Sequence, residues 1–347
     1  MPNKTDPEKL RTFENIVRDK VKDKTIACLI IDSPWMPGYA QIDTIDFYFD
    51  SRLWFDVYLQ VHDDFPDIVF IPDMWVEFGM GAEPSGWGVQ IEWSHVSPPS
   101  IHGYPGGLQG LLDADVPDPE KHGLMPVILG QYERMGPVFK ERGYRPLLAA
   151  ARGPLAVASH LIGVTNLLLS TKLEPENCLK LLEKTTELCI RWLRSQLQRI
   201  EQLLGILVLD DVVGMMGPQD AETFAFPFLK RIFDSFPELI HFFHNDTPNE
   251  NVYPGLSTVG MDAFNLTHEV DIVRARELLG PDIVLMGNIP PIDVLVNGTK
   301  DEVTKATEAL LQKLGECGPL LISPGGGVSP GTPVENLKTM VEVVQSW

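Results

Sequence analysis

Short apolar runs punctuate the chain near residues 26, 68, 148, 206, 240, 263, 283 and 320, and seven of the eight are followed by a helical pattern. Runs this short, bounded by turn residues, read as strands buried on both faces. Between them the apolar spacing changes to the helical period. Residues 7–22 place Leu10, Phe13, Ile16, Val17 and Val21 on one face, with Asp6 as N-cap and Pro7 in the first turn. Long helical stretches cover 155–170 and 175–203, the second with Leu179, Leu182, Thr186, Cys189, Ile190 and Leu193 in phase. Shorter ones cover 219–236, 270–279, 301–316 and 333–345.

Eight strands alternating with helices predict an α/β protein, a (β/α)8 or TIM barrel in a single domain. A doubly wound sheet would show a glycine-rich fingerprint after its first strand, and none is there. The expected division is an N-terminal helical extension, 1–24, and a barrel, 25–347. Residues 79–110 break the rhythm. They are rich in Gly, Pro, Trp and Ser, with a hairpin expected around Val89–Trp93, and form a long insertion after the second strand. So long an irregular stretch reads as a functional loop or lid.

Composition narrows the class. Of 347 residues, 44% are hydrophobic and 22% charged, which suits a large core. A formal net charge of −20 argues against nucleic acid, whose phosphates need a basic surface. Cys28, Cys178, Cys189 and Cys317 are scattered without CxxC spacing, as in proteins of a reducing cytosol. Residues 1–24 hold no apolar signal core, and no run of eighteen apolar residues occurs. The expected setting is cytoplasmic, without a membrane partner.

Candidate chemistry sits where the runs stop. The fifth ends in His244-Asn245-Asp246 and turns at Pro248. In a barrel, ligands bind at the C-terminal strand ends. That rule gathers Asp73, Arg152, Asp210, Asp211, His244, Asp246, Asn288 and the Gly325–Gly327 loop around one mouth. Carboxylates beside a histidine do acid/base work or hold a metal. His244 and Asp246 are the leading candidates, with Asp73 and Asp210 in support. Asp210-Asp211 would serve equally as helix caps, and Arg152 would equally pair with one of the acids. Asn288 stands in the rigid turn Gly287-Asn-Ile-Pro-Pro291. Gly326 lies in the loop after the last strand, a frequent anion site in barrels. Trp75, Trp87, Trp93 and Tyr104 offer an apolar substrate wall. Arg152, Asn288, Trp93 and Gly326 are therefore the expected substrate contacts.

Several segments together resemble the uroporphyrinogen decarboxylase superfamily. They are Arg152-Gly-Pro-Leu-Ala156, Asp210-Asp211, His244-Asn-Asp246, Gly260-Met-Asp262-Ala-Phe, Gly287-Asn-Ile-Pro-Pro291, Leu295-Val-Asn-Gly-Thr299 and Ile322-Ser-Pro-Gly-Gly-Gly-Val-Ser-Pro-Gly-Thr-Pro-Val-Glu-Asn336. The resemblance implies a (β/α)8 barrel and one of two chemistries: decarboxylation of a porphyrinogen, or methyl transfer with a cobamide (corrinoid). Asp73 matches the decarboxylases' pyrrole-binding aspartate. Their arginine-rich segment is replaced here by Ser33-Pro-Trp-Met-Pro-Gly-Tyr39, and their late histidine by glycine. Thiol-activating methyltransferases of the superfamily hold zinc through His-x-Cys and a later cysteine. This chain has His244-Asn245-Asp246 and a glycine at those places. The O-demethylase branch carries two glutamates with fourteen residues between them and then a histidine, a spacing that Glu77 and Glu92 reproduce. Asp113 stands at the third place, with His102 and His122 nearby. The resemblance thus implies a zinc set of Glu77, Glu92 and His102, with His244 as alternative ligand. It implies a methyltransferase that moves a methyl group between a small methylated substrate, such as a methyl ether, and the cobalt of a partner corrinoid protein. A homodimer is its expected assembly. The competing readings are a decarboxylase-like carboxy-lyase and a non-catalytic tetrapyrrole-binding barrel.

Overall fold

The computed structural model describes residues 7–22 and 24–347, so the expected N-cap Asp6 lies outside the described residues. Eight parallel strands stand at the eight apolar runs: β1 (Cys28–Ile30), β2 (Val69–Ile71), β3 (Leu148–Arg152), β4 (Gly205–Leu209), β5 (Ile240–Asn245), β6 (Ala263–Leu266), β7 (Val284–Ile289) and β8 (Leu320–Pro324). Strands β3 to β8 form one six-stranded sheet in sequential order, and β1 pairs with β2. The pair meets both edges of the sheet. Ala27 bridges Ile322, while Pro72 O accepts from Leu147 N–H at 2.7 Å and Leu148 N–H at 3.1 Å. Helices carry the chain from each strand of the sheet to the next parallel one, as such connections require.

Side chains alternate along each strand, and the alternation divides the core in two. One set joins Cys28, Ile30, Val69, Ile71, Leu148, Ala150, Leu207, Leu209, Ile240, Phe242, Ala263, Val284, Met286 and Leu321. The other phase, including Leu29, Phe70, Ala149, Ile206, Val208, Phe243, Phe264 and Leu285, packs among the helices. Helix α1 (Pro7–Asp19) belongs to the inner set through Leu10, Phe13, Ile16 and Val17, and the Phe13 ring stacks on Phe242 at 5.8 Å. Around it, Lys9 donates to Pro66 O, Arg18 to Leu204 O and Lys20 to Asp262 O, carbonyls that precede β2, β4 and β6. The extension therefore covers the N-terminal strand ends, opposite the polar ones.

Two expected helices are broken, each at an identifiable residue. The stretch 155–170 divides into Pro154–Ile162 and Val164–Leu173 at Gly163, whose φ is +84°. The stretch 219–236 divides at Ala225, two residues before Pro227, which has no N–H to give to the preceding turn. The insertion after β2 carries its hairpin as Ile91–Glu92 paired with Ser100–Ile101. No single helix among the described residues is long and apolar enough to cross a membrane.

Candidate active site

Continuing the inner phase past the apolar residues leads to Arg152 on β3, His244 on β5 and Asn265 on β6. The same phase reaches Asp32, Asp211 and Asp246 just beyond β1, β4 and β5. The centre is His244, buried at the end of β5 with its Nδ1 2.7 Å from Asn265 Oδ1. The fully buried Asn265 amide nitrogen donates to Met286 O at 3.1 Å and Pro324 O at 3.5 Å. Its oxygen must therefore face the imidazole, which assigns a proton to His244 Nδ1 and turns Nε2 toward the carboxylates. Nε2 lies 3.6 Å from Asp211 Oδ1, which accepts the Asp246 N–H at 3.1 Å. Asp211, His244 and Asp246 each offer a ligand atom, and these atoms lie within 4.8 Å of one another. Burial pushes the Asp246 carboxyl up, opposed by His244 and reinforced by Asp211. Gly326, at φ +116°, lets the last loop close over this group, since a Cβ there would sit 3.0 Å from Asp246 Oδ2. One imidazole nitrogen and two carboxylates, without a thiolate, fit a divalent cation on the harder side of zinc chemistry.

A second polar group lies beside it. Glu77 is buried with Oε1 accepting Ser33 N–H at 2.8 Å and Oε2 accepting Gly79 N–H. Its partner Ser33 follows Asp32, a half-buried acid that faces Glu77, Arg152 and His244. Burial first, then Glu77, pushes the Asp32 carboxyl up to about 7, while Arg152 and His244 oppose the shift. Arg152 is buried, donates to Gly79 O at 3.3 Å and lies 5.3 Å from the centre of the Trp75 ring. Its backbone N–H donates to the buried Glu83 at 2.8 Å.

The uroporphyrinogen decarboxylase (URO-D) family profile matches residues 38–347. The chain belongs to that family. Similar members differ in chemistry. A methylated-thiol–coenzyme M methyltransferase of Methanosarcina mazei is 24% identical over 298 residues, 85% of this chain and 77% of the relative. A uroporphyrinogen decarboxylase of Carboxydothermus hydrogenoformans is 29% identical over 212 residues, 58% of this chain and 59% of the relative. Methylcobamide:CoM methyltransferase MtbA of Methanosarcina acetivorans is 25% identical over 210 residues, 58% of each. The last two matches thus span less than two thirds of those relatives. In fold, a solved methyltransferase from Methanosarcina mazei superposes with a TM-score of 0.80 over 96% of this chain and 97% of its own, at 19% identity.

Within this URO-D family member, several expected residues stand elsewhere. Asp73 is turned from the mouth at φ +59°, its Oδ1 accepting from His62 Nε2 at 2.9 Å and Met74 N–H at 2.8 Å. Asp210 lies on the outer phase, fully buried. Its Oδ2 accepts Leu155 N–H at 2.9 Å, so it caps the helix that precedes it in sequence, not the one that follows. Burial holds that carboxyl well above the usual range. Gly153 makes room, since a Cβ there would lie 2.4 Å from Asp210 Oδ2. Asn288 donates its amide to Thr267 O at 3.0 Å and Val270 O at 2.8 Å, tying down the loop after β6. Trp93 packs with Tyr48, Phe49 and Phe78.

The metal set Glu77, Glu92 and His102 is not assembled. Glu77 is occupied by backbone donors, while Glu92 and His102 pair with each other at 3.0 Å, both exposed, across the hairpin. Spacing in sequence carries no such set through a hairpin that turns two of its members to solvent. His244, the alternative ligand, belongs to the group it forms with Asp211 and Asp246 among the described residues. Asp32 and Asn265 were not singled out from sequence. The signal was available: both continue the strand alternation that places Ile30 and Ala263 in the inner core.

Proposed function

We propose that this chain is a corrinoid-linked methyltransferase, a (β/α)8 barrel whose mouth takes a small oxygen-bound methyl donor such as a methyl ether. The observation that carries the reading is the grouping of His244 with Asp211 and Asp246, the imidazole held in place by Asn265. Methyltransferases among its relatives and the acidity of the mouth support it: Asp32 and Glu77 stand by Arg152, and Asp211 and Asp246 by His244.

Each residue has a definable part. Asp211, His244 and Asp246 would hold a divalent cation, zinc or a harder ion. Bound there, the cation would supply Lewis acidity toward the donor oxygen, while a partner corrinoid protein would supply the cobalt that gains or gives the methyl group. Arg152, stacked over Trp75, orients an anionic or carbonyl part of the substrate. Asn265 keeps His244 from rotating. Trp93 and the exposed Phe49 would present an apolar wall on the insertion's side, backed by the buried Phe78. The test is elemental analysis of the purified protein. Wild type and Glu92→Ala retain near-stoichiometric metal, and His244→Ala loses it. Absence of metal from wild type after incubation with zinc, manganese and magnesium would overturn the site.

A further inference from the structure

We propose that Asp32 is the proton donor to the oxygen from which the methyl group departs. The inference rests on the methyltransferase reading above and adds a catalytic residue to it.

Cys28 and Ile30 belong to the inner core, and Asp32 is the next residue of that phase, at the mouth end of β1. Its main-chain oxygen accepts Trp35 N–H at 3.1 Å and Met36 N–H at 3.0 Å, which anchors the turn behind it. Its carboxyl takes part in no hydrogen bond among the described residues, unlike Asp73, Glu77, Asp210 and Asp211. A half-buried carboxyl without a partner, aimed at a mouth, has a structural cost and no structural use.

Charge gives it a use. Four charged or titratable groups face it: Tyr48, whose hydroxyl donates to Ser33 Oγ at 2.6 Å, Glu77 from the loop after β2, Arg152 from the end of β3 and His244 from the end of β5. Glu77 is fixed beside it by the N–H of Ser33, with both oxygens occupied by backbone donors. Two neighbouring carboxyls in a confined place do not both ionise readily, and the one without donors keeps the proton. Burial and Glu77 accordingly raise Asp32 to about 7. That matches a group which must hold a proton at neutral pH and still release it.

The proposed step balances. The methyl carbon leaves its oxygen and takes up the electron pair of a reduced corrinoid, cob(I)alamin in the assay below. The C–O bonding pair stays on the oxygen, which receives the Asp32 proton and departs as an alcohol or phenol. The resulting Asp32 carboxylate regains a proton from water.

The experiment compares wild type, Asp32→Asn and Asp32→Glu with cob(I)alamin and a series of aryl methyl ethers differing in phenol acidity. The expected Asp32→Asn loss is about a hundredfold or more with the least acidic phenol, shrinking toward none with the most acidic, and Asp32→Glu restores part of it. A uniform loss across the series, or none, overturns the proton role while leaving the methyltransferase reading intact. Wild type that demethylates no ether overturns both. A second arm is independent of turnover: a protonated-carboxyl infrared band present in wild type at neutral pH and missing in Asp32→Asn. Its absence from wild type overturns the proposal on its own.

Discussion

At the scale of single residues, the site depends on one amide. Asn265 is fully buried, and its two donors and its acceptor all have partners. Replacing it by the similarly shaped leucine leaves Met286 O, Pro324 O and His244 Nδ1 unpaired in a dry interior. That costs about 2–4 kcal/mol of stability. The imidazole is then free to turn, and cation affinity falls about 10- to 100-fold, as expected on loss of a supporting partner. Denaturant titration and a metal-binding isotherm on Asn265→Leu measure the two effects separately. Asp32 makes a second prediction, with the sign set by its raised folded pKa of about 7 against 3.8 unfolded. Between those values the folded state keeps a proton that the unfolded chain has released, so stability falls as pH rises from 4 to 7. Asp32→Asn removes that loss. Its gain over wild type should be near zero at pH 4 and of order 1–3 kcal/mol at pH 8, reduced from the full shift by partial exposure. Thermal melts at both pH values decide it.

At the scale of elements, α1 closes the end of the inner core away from the site. Phe13 is fully buried and stacked on Phe242, so Phe13→Ala removes a whole ring from a space that neighbouring strands cannot collapse into. The expected cost is about 3–5 kcal/mol, read from the urea midpoint, with the cation isotherm unchanged. A small loss would mean that α1 is peripheral. The elements also explain which parts of the molecule were legible in sequence. Strands buried on both faces leave continuous apolar runs, so all eight appeared at their places. His244 and Asp246 were legible because they end such a run on the inner phase. Asp73, Asp210 and Asn288 end runs too, but their partners are His62, the N–H of Leu155 and the carbonyls of Thr267 and Val270. Those partners lie far along the chain, and sequence spacing does not point to them. The spacing of Glu77 and Glu92 is no guide for the same reason: the hairpin that carries Glu92 and His102 pairs those two with each other. Asp32 and Asn265 could have been found by counting every second residue from Ile30 and Ala263.

At the scale of the whole molecule, charge separates the two chemistries of the family. The chain carries 48 acidic against 28 basic residues, a net charge of −20. Its mouth repeats the bias, with Asp32 and Glu77 by Arg152 and with Asp211 and Asp246 by His244. A porphyrinogen with eight carboxylates would enter against this potential and meet the Arg152 guanidinium, itself committed to Gly79 O and the Trp75 face. Desolvating so many anions without paired cations is unfavourable. Uroporphyrin should therefore show no saturable binding below about 1 mM by fluorescence titration. Any weak association should strengthen with added salt, because screening relieves repulsion before it weakens attraction. The metal-loaded protein adds at most one compensating cation and should behave alike. Tight binding that salt weakens would instead require a cationic lining that these residues do not provide, and would return the decarboxylase reading to first place.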